Sequence, residues 1–146
     1  MILTVIESPY AAQFSAYGNE ASIRREVDQN RLYLKACLRD SIARGEAPFA
    51  SHELYTRALD DACPIEREAG LRAGESWASR AERRVLYLDR GLSEGMVRGL
   101  KQAIRLKQKI YVRGLADWRG PMRLEALRKL NGHLDTVACD VDWAGF

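Results

Sequence analysis

The chain has 146 residues, of which 47% are hydrophobic and 29% charged. That length and composition are typical of one globular domain and exclude collagen, a coiled coil and a long disordered tail. No apolar run approaches the roughly 20 residues that cross a membrane, and the amino-terminal run Met1–Ile6 lacks the basic leader of a signal peptide. We expect a single domain over residues 1–146, in the cytoplasm.

Charge and cysteine patterns narrow the chemistry. Between Arg83 and Lys129 the chain has 13 Lys and Arg against 4 Asp and Glu. Such a basic half attracts phosphate, although solvated helix faces give the same pattern. The scattered cysteines (Cys37, Cys63 and Cys139) form neither a disulfide framework nor a CxxC pair. HExxH is absent too, so we predict no metal and no cofactor.

Periodicity and breakers predict strands and helices in alternation. β-Branched or apolar runs indicate strands at Met1–Ile6, Ala47–Ala50, Arg84–Leu88 and Lys109–Val112. Helical spacing and start signals indicate helices over Ala21–Arg44, from Pro64, from about Ser93, and over Met122–Leu130 with a stop at Gly132. His52–Asp61 is predicted as a loop or short helix. The tail, residues 133–146, either adds an edge strand at Thr136–Cys139 or docks Trp143 and Phe146.

A strand–helix order repeated four times predicts a three-layer α/β sandwich of the flavodoxin or Rossmann type, with a parallel sheet of four or five strands. Ligands of such sheets bind at the carboxyl ends of the strands. Four loops are therefore candidate sites: Glu7–Tyr10, Ser51–Tyr55, Asp89–Gly95 and Arg113–Arg119.

The strongest local signal is the segment Asp89–Met96, between a strand and a helix start. Gly91 and Gly95 let the backbone approach a ligand, Ser93 caps the helix or binds an anion, and helix-start N–H groups favour negative charge. An ordinary capped turn has the same features. The segment is neither GxGxxG nor a P-loop, which argues against an enzyme that hydrolyses ATP or GTP.

Three further clusters lie near strand ends. Ser8, Pro9 and Tyr10 offer hydroxyls to a ribose or phosphate, or form a strand-ending turn. His52 follows the second strand and is more often structural than catalytic. The carboxylates of Asp60, Asp61, Glu66 and Glu68 suit acid–base work or sugar hydroxyls, or favourable charge at a helix start.

Taken in order, these motifs resemble the small phage and bacterial proteins of the nucleoside 2-deoxyribosyltransferase-like superfamily, which includes deoxynucleoside 5′-monophosphate N-glycosidases. The resemblance covers about Ile2 to Val112. Its most specific parts are Glu66-Arg67-Glu68-Ala69-Gly70-Leu71 and Ser93-Glu94-Gly95-Met96. It implies a flavodoxin-like fold, a pocket for a nucleoside or nucleotide, and a homo-oligomer, for which Trp118, Trp143 and Phe146 are candidate interface anchors.

The resemblance also implies that a Ser-x-Gly stretch binds the 5′ end, and that a Glu four residues after the Gly attacks the anomeric carbon. Ser93 and Gly95 match this pattern, but the nucleophile's position holds Gly99. The implied ligand-binding residues are Ser8, Pro9, Tyr10, His52, Asp60, Glu66, Asp89, Gly91, Ser93, Glu94, Gly95 and Met96. The missing side chain at 99 is expected to leave room for a bulkier ligand.

Three functions follow, in order of preference. The protein binds a nucleotide or nucleotide-derived sugar phosphate without efficient cleavage, and in a phage it would sequester that ligand. Alternatively, it cleaves with another carboxylate, for which Asp60, Asp61 and Glu94 are the candidates. Nucleic-acid binding by the basic half is the least favoured, because no nucleic-acid-binding signature is present.

Overall fold

The structure is a computed structural model that describes residues 1–13, 17–135 and 140–146. Strands and helices alternate along the chain. The strands are β1 (Ile2–Glu7), β2 (Glu46–Phe49), β3 (Arg83–Tyr87), β4 (Lys109–Arg113) and β5 (Val141–Gly145). The helices are α1 (Glu20–Ala43), α2 (Ser51–Ala58), α3 (Pro64–Ala78), α4 (Glu94–Arg105) and α5 (Pro121–Leu134), with a 3₁₀ turn at Ala116–Trp118.

Within the described ranges, five strands form one sheet in the order β2-β1-β3-β4-β5, and every neighbouring pair is parallel. This is the strand order of flavodoxin-like folds, in which β2 is added on one side of β1 and the later strands are added on the other, beginning with β3. The predicted three-layer α/β sandwich is therefore confirmed, with the higher of the two predicted strand numbers.

Predicted helix starts are confirmed by their capping groups. The side chains of Asn19 and Ser93 accept hydrogen bonds from backbone N–H groups at the starts of α1 and α4. Pro64 and Pro121 open α3 and α5, where a missing N–H is harmless. After α1, Gly45 takes a φ of 79°, which favours glycine and lets the chain turn into β2.

Several expectations about loops and the tail are corrected. α5 does not stop at Gly132 but continues to Leu134, because Leu134 packs against the hydrophobic core. The segment from Ser51 to Tyr55 is not a loop but the start of α2. The edge strand is β5, at Val141–Gly145, whereas the predicted strand at Thr136–Cys139 lies outside the described residues.

The two faces of the sheet have separate cores. α1 covers one face, where Tyr33, Leu34 and Cys37 pack on Ile6, Val85 and Tyr87. α4 and α5 cover the other face, over Leu86, Leu88, Ile110 and Val112. α3 lies beside α4, since Gln102 donates to the Glu75 carbonyl oxygen at 3.1 Å and Arg98 donates to the Glu75 carboxylate at 2.8 Å.

A buried ion network lies under α1. The carboxylate of Glu46 is 1% exposed and accepts two hydrogen bonds from Arg113, at 2.7 and 2.8 Å. Arg83 and Ser41 add two more, at 3.1 and 2.6 Å. Burial alone would raise the pKa of Glu46, but the hydrogen bonds from Arg113 and Ser41 and the charge of Arg113 outweigh it and lower the pKa to about 2. Glu46 therefore stays ionised and ties β2 to β3, β4 and α1.

Candidate functional site

The loop after β1 meets the first turn of α2. Ser8 is buried, and its Oγ lies 3.1 Å from Nε2 of His52. The ring of Tyr10 packs edge-on against the His52 imidazole, with centroids 6.0 Å apart. Burial lowers the pKa of His52 to about 4, so the imidazole is neutral near pH 7. Three predicted site residues are thus brought together in one polar cluster.

Asn30 of α1 joins the loops that follow β1 and β3. Its Nδ2 donates to the carbonyl oxygens of Tyr10 and Ala11, at 3.0 and 3.3 Å, while its Oδ1 accepts from Nε of Arg90 at 2.7 Å. Arg31 donates to the Tyr10 hydroxyl at 3.0 Å. Two guanidinium groups therefore lie beside this pair of loops, although the sequence analysis singled out neither arginine.

Asp89 is fully buried beneath the loop after β3. Its Oδ2 accepts from the Tyr33 hydroxyl at 2.8 Å and from the backbone N–H of Leu115 at 2.7 Å. Its Oδ1 lies 3.6 Å from Nη1 of Arg123. Asp89 was predicted as a ligand-binding residue, but its carboxylate contacts α1, the loop after β4 and α5, and so holds those segments together.

The amino-terminal end of α4 remains suited to an anion. Gly91 has a φ of 103°, which turns the chain toward Ser93, and the Ser93 hydroxyl accepts from the N–H of Met96 at 3.3 Å. Glu94 and Gly95 are exposed, whereas Met96 is buried in the core. The backbone N–H groups of Glu94 and Gly95 are in the first turn and have no acceptor within the helix, so they can bind a phosphate oxygen.

The acidic cluster lies between α2 and α3 and satisfies its own backbone. Glu66 accepts from the N–H of Asp60 at 2.6 Å, and Asp60 accepts from the N–H of Ala62 at 2.9 Å. Asp61 pairs with Arg67 at 3.0 Å. These contacts hold the turn before α3 and are structural, whereas the sequence left open both a structural role and a role at a ligand.

Gly99 is buried, and its surroundings are filled by protein rather than left clear for a ligand. A Cβ placed there would lie 2.1 Å from Oε1 of Glu7 and 3.0 Å from Nη1 of Arg84. Glu7 opens the candidate loop Glu7–Tyr10 but was not among the predicted ligand-binding residues, because its only signal was a charge that ends an apolar strand. Burial raises the pKa of Glu7, against the opposing charge and hydrogen bond of Arg84.

Some basic residues between Arg83 and Lys129 lie in the interior, and others line a cleft. Arg83, Arg84 and Arg113 are engaged in the interior ion pairs already described. Others lie on two helices, α4 and α5, where they line a cleft of about 740 Å³. Its cationic residues are Arg98, Lys101, Arg105 and Lys129, with His133, beside Glu75 and Glu94.

The candidate interface aromatics are partly used within the fold. Trp118 is half-buried and packs on Tyr33, with ring centroids 5.1 Å apart. Phe146 packs against the α4–α5 core, where Arg123 lies over its ring at 4.0 Å. Trp143 is 39% exposed.

A family model described as "Domain of unknown function (DUF7768)" matches residues 2–113, which is most of the chain. The chain belongs to the DUF7768 family. This DUF7768 match includes the loops after β1, β2 and β3 together with Gly99, and it ends at the last residue of β4. α5 and β5 follow it, so Lys129 and His133 of the cleft along α4 and α5 lie outside the match.

Other comparisons add less to the DUF7768 assignment. No curated protein sequence matches the chain. Among solved structures, a 2-deoxyribosyltransferase from Bacillus psychrosaccharolyticus is similar, with 13% sequence identity, a TM-score of 0.49, and coverage of 85% of this chain and 81% of that one. At this level the likeness gives no information about activity.

Two features are absent from residues 1–13, 17–135 and 140–146. None of the helices there is long and apolar enough to cross a membrane. The same residues contain no group of three or more His, Cys, Asp or Glu side chains placed to hold a metal ion.

Proposed function

We propose that the protein binds a nucleotide or nucleotide-derived sugar phosphate at the carboxyl ends of β1 and β3. The observation that carries this proposal is the strand order. From β1 the chain passes to α1 on one face of the sheet, and from β3 it passes to α4 on the other. The two loops diverge there and leave a crevice, which is where open α/β sheets bind their ligands.

The groups beside this crevice divide into two sets. The amino-terminal end of α4, with Ser93 and Gly95, offers N–H groups to the phosphate, and the half-exposed Arg90 adds a positive charge nearby. Tyr10 and His52 supply an aromatic and polar surface for the sugar or base. The resemblance to the deoxyribosyltransferase-like superfamily supports the same division, with the 5′ end at Ser93 and Gly95.

We expect binding without efficient cleavage. A glycosyl-enzyme route needs a carboxylate that attacks the anomeric carbon. Gly99 supplies none, and the carboxylate beside it, Glu7, is engaged by Arg84 at 2.5 Å. Asp60 and Asp61 take part in local contacts at the start of α3, and Glu94 lines the outer cleft along α4. A binding protein of this kind would sequester its ligand.

A thermal-shift screen of nucleosides, nucleotides and ADP-ribose-like compounds tests the proposal. A ligand at 100 times its Kd stabilises the folded state by about 2.7 kcal/mol, which for a domain of this size raises the Tm by roughly 5–10 °C. Failure of every compound to raise the Tm would refute the proposal.

The cleft along α4 and α5 favours a second candidate function, nucleic-acid binding. Lys101 and Arg105 have no ion-pair partner among the described residues, and both face this cleft. Contacts to a nucleic-acid backbone release counterions, so affinity would fall steeply with salt. Filter binding of an oligonucleotide at two salt concentrations separates this function from a mononucleotide site.

A further inference from the structure

Glu7 and Gly99 form a matched pair across the interface between β1 and α4. A Cβ at position 99 would lie 2.1 Å from Oε1 of Glu7 and 2.5 Å from its Cδ, so Glu7 keeps its position only with glycine there. Gly99 also lies inside α4, where glycine weakens a helix relative to alanine. The close approach of the Glu7 carboxylate explains why glycine is found at this buried helical position.

Arg84, on the neighbouring strand β3, holds the Glu7 carboxylate in place. Its Nη1 donates to Oε1 of Glu7 at 2.5 Å, and its Nη2 donates to Gln102 at 2.8 Å and to Gln108 at 3.1 Å. The Arg84 side chain is 2% exposed and that of Glu7 is 14% exposed. A buried guanidinium needs a counter-charge, so the position of Glu7 is set by its partner.

The second oxygen of Glu7 is available to a ligand. Oε2 has no hydrogen-bond partner among the described residues, and it is not one of the buried polar atoms left without one. An ionised carboxylate accepts several hydrogen bonds. One oxygen of Glu7 is thus held by Arg84, while the other has no partner among the described residues and is not fully buried.

The placement of this oxygen suits a sugar. Glu7 is the last residue of β1, directly before Ser8, and Gly99 lies four residues, or about 6 Å, along α4 from Gly95. A phosphate at the start of α4 would therefore place its pentose within reach of the Glu7 carboxylate, which occupies the space beside Gly99. This rise is comparable with the span from a 5′-phosphate to the secondary hydroxyls of a pentose.

We propose that Glu7 is a ligand-binding residue whose free oxygen accepts a hydrogen bond from a secondary hydroxyl of the ligand's pentose. Arg84 is the positioning residue for Glu7, and Gly99 provides the clearance. This inference rests on the proposed nucleotide-binding function. It places the site's carboxylate on strand β1 rather than at position 99 of α4, where the sequence has glycine.

The test compares the four ribonucleoside 5′-monophosphates with their 2′,3′-dideoxy counterparts by calorimetric titration. We expect the natural protein to bind the ribonucleotide at least tenfold more tightly, since a hydrogen bond to a charged group discriminates by about this factor or more. In Glu7→Gln that ratio should fall below about threefold, with the affinity for the dideoxy compound unchanged.

Glu75→Gln is the matched control. Glu75 pairs with Arg98, the neighbour of Gly99 on α4, at 2.8 Å, so the variant makes the same chemical change beside the same helix. It should keep the full ratio. A Glu7→Gln protein with the ratio of the natural protein would overturn the inference while leaving the proposed function standing. Failure of the natural protein to bind any of the nucleotides would overturn both.

Glu7→Gln leaves the buried Arg84 without a counter-charge, so Glu7→Gln combined with Arg84→Gln is the second variant. A ¹³C NMR measurement on the natural protein tests the inference without relying on either variant. The assigned ¹³C resonance of the Glu7 carboxyl should move on addition of the ribonucleotide and stay in place with the dideoxy compound. A resonance that does not move with either nucleotide would overturn the inference.

Discussion

Gly99→Ala is predicted to destabilise the protein, although the same change at an exposed helix position stabilises the helix. The added Cβ would lie 2.1 Å from Oε1 and 2.5 Å from Cδ of Glu7, and 3.0 Å from Nη1 of Arg84. Such distances are far below van der Waals contact. Glu7 must therefore move away, and its 2.5 Å pair with Arg84 is lost or weakened.

Two opposing free energies decide the sign of the effect. Replacing glycine by alanine inside a helix gains about 0.8–1 kcal/mol. Breaking a buried ion pair costs about 3–5 kcal/mol, because one charge is left in the interior without compensation. The net loss in the free energy of unfolding should be about 2–4 kcal/mol for Gly99→Ala, which corresponds to a fall in Tm of roughly 5–15 °C.

Gly132→Ala is the control for this experiment. Gly132 lies within α5, has ordinary helical backbone angles, and has no heavy atom within 4 Å of an added Cβ. It should therefore gain about 0.5–1 kcal/mol. Urea denaturation measures both variants against the natural protein. A Gly99→Ala protein at least as stable as the natural one would refute the contact between Gly99 and Glu7.

Three further predictions concern buried polar groups. His52 has a pKa of about 4 in the folded protein and near 6.5 when unfolded. The stability that it contributes should therefore be present above pH 6.5 and fall by about 3 kcal/mol as the pH drops toward 4. Urea titrations over a pH series should show this dependence in the natural protein and not in His52→Gln. The pKa of Glu46 is lowered to about 2, so the stability that Glu46 contributes should be present above pH 4.5 and lost as the pH falls toward 2. The loss should be about 3 kcal/mol in the natural protein and absent in Glu46→Gln. Asp89→Asn should cost about 1–3 kcal/mol in urea, because Tyr33 and Leu115 lose charge-assisted hydrogen bonds; an unchanged midpoint would contradict the role of Asp89 beneath the loop.

The strands and helix starts were predictable because their signals are local. A β-branched run marks β1 and an apolar run marks β3, proline opens α3 and α5, and Ser93 caps α4. The end of α5 was not predictable from the sequence. The helix continues past Gly132 because Leu134 still buries apolar surface against the core. Local patterns therefore find where elements begin more readily than where tertiary packing lets them end.

The candidate site was predictable in outline but not in its contacts. The loops after β1 and β3 follow from the strand order that alternation implies. The pair formed by Glu7 and Arg84 joins residues 77 positions apart, and Arg90 reaches Asn30 across 60. Contacts between residues so far apart in the sequence follow no helical or strand periodicity. A local pattern therefore could not reveal that Gly99 makes room for the carboxylate of Glu7 on another element.

The most direct test of nucleotide binding without cleavage is an amide NMR titration with nucleoside 5′-monophosphates and their deoxy forms, with free base measured in the same samples. We predict shifts at the amides of Tyr10, Gly91 and Gly95, around the ends of β1 and β3, and no release of free base over hours. Shifts confined to Lys101 and Arg105 in the cleft along α4 and α5, or steady release of free base, would contradict this account.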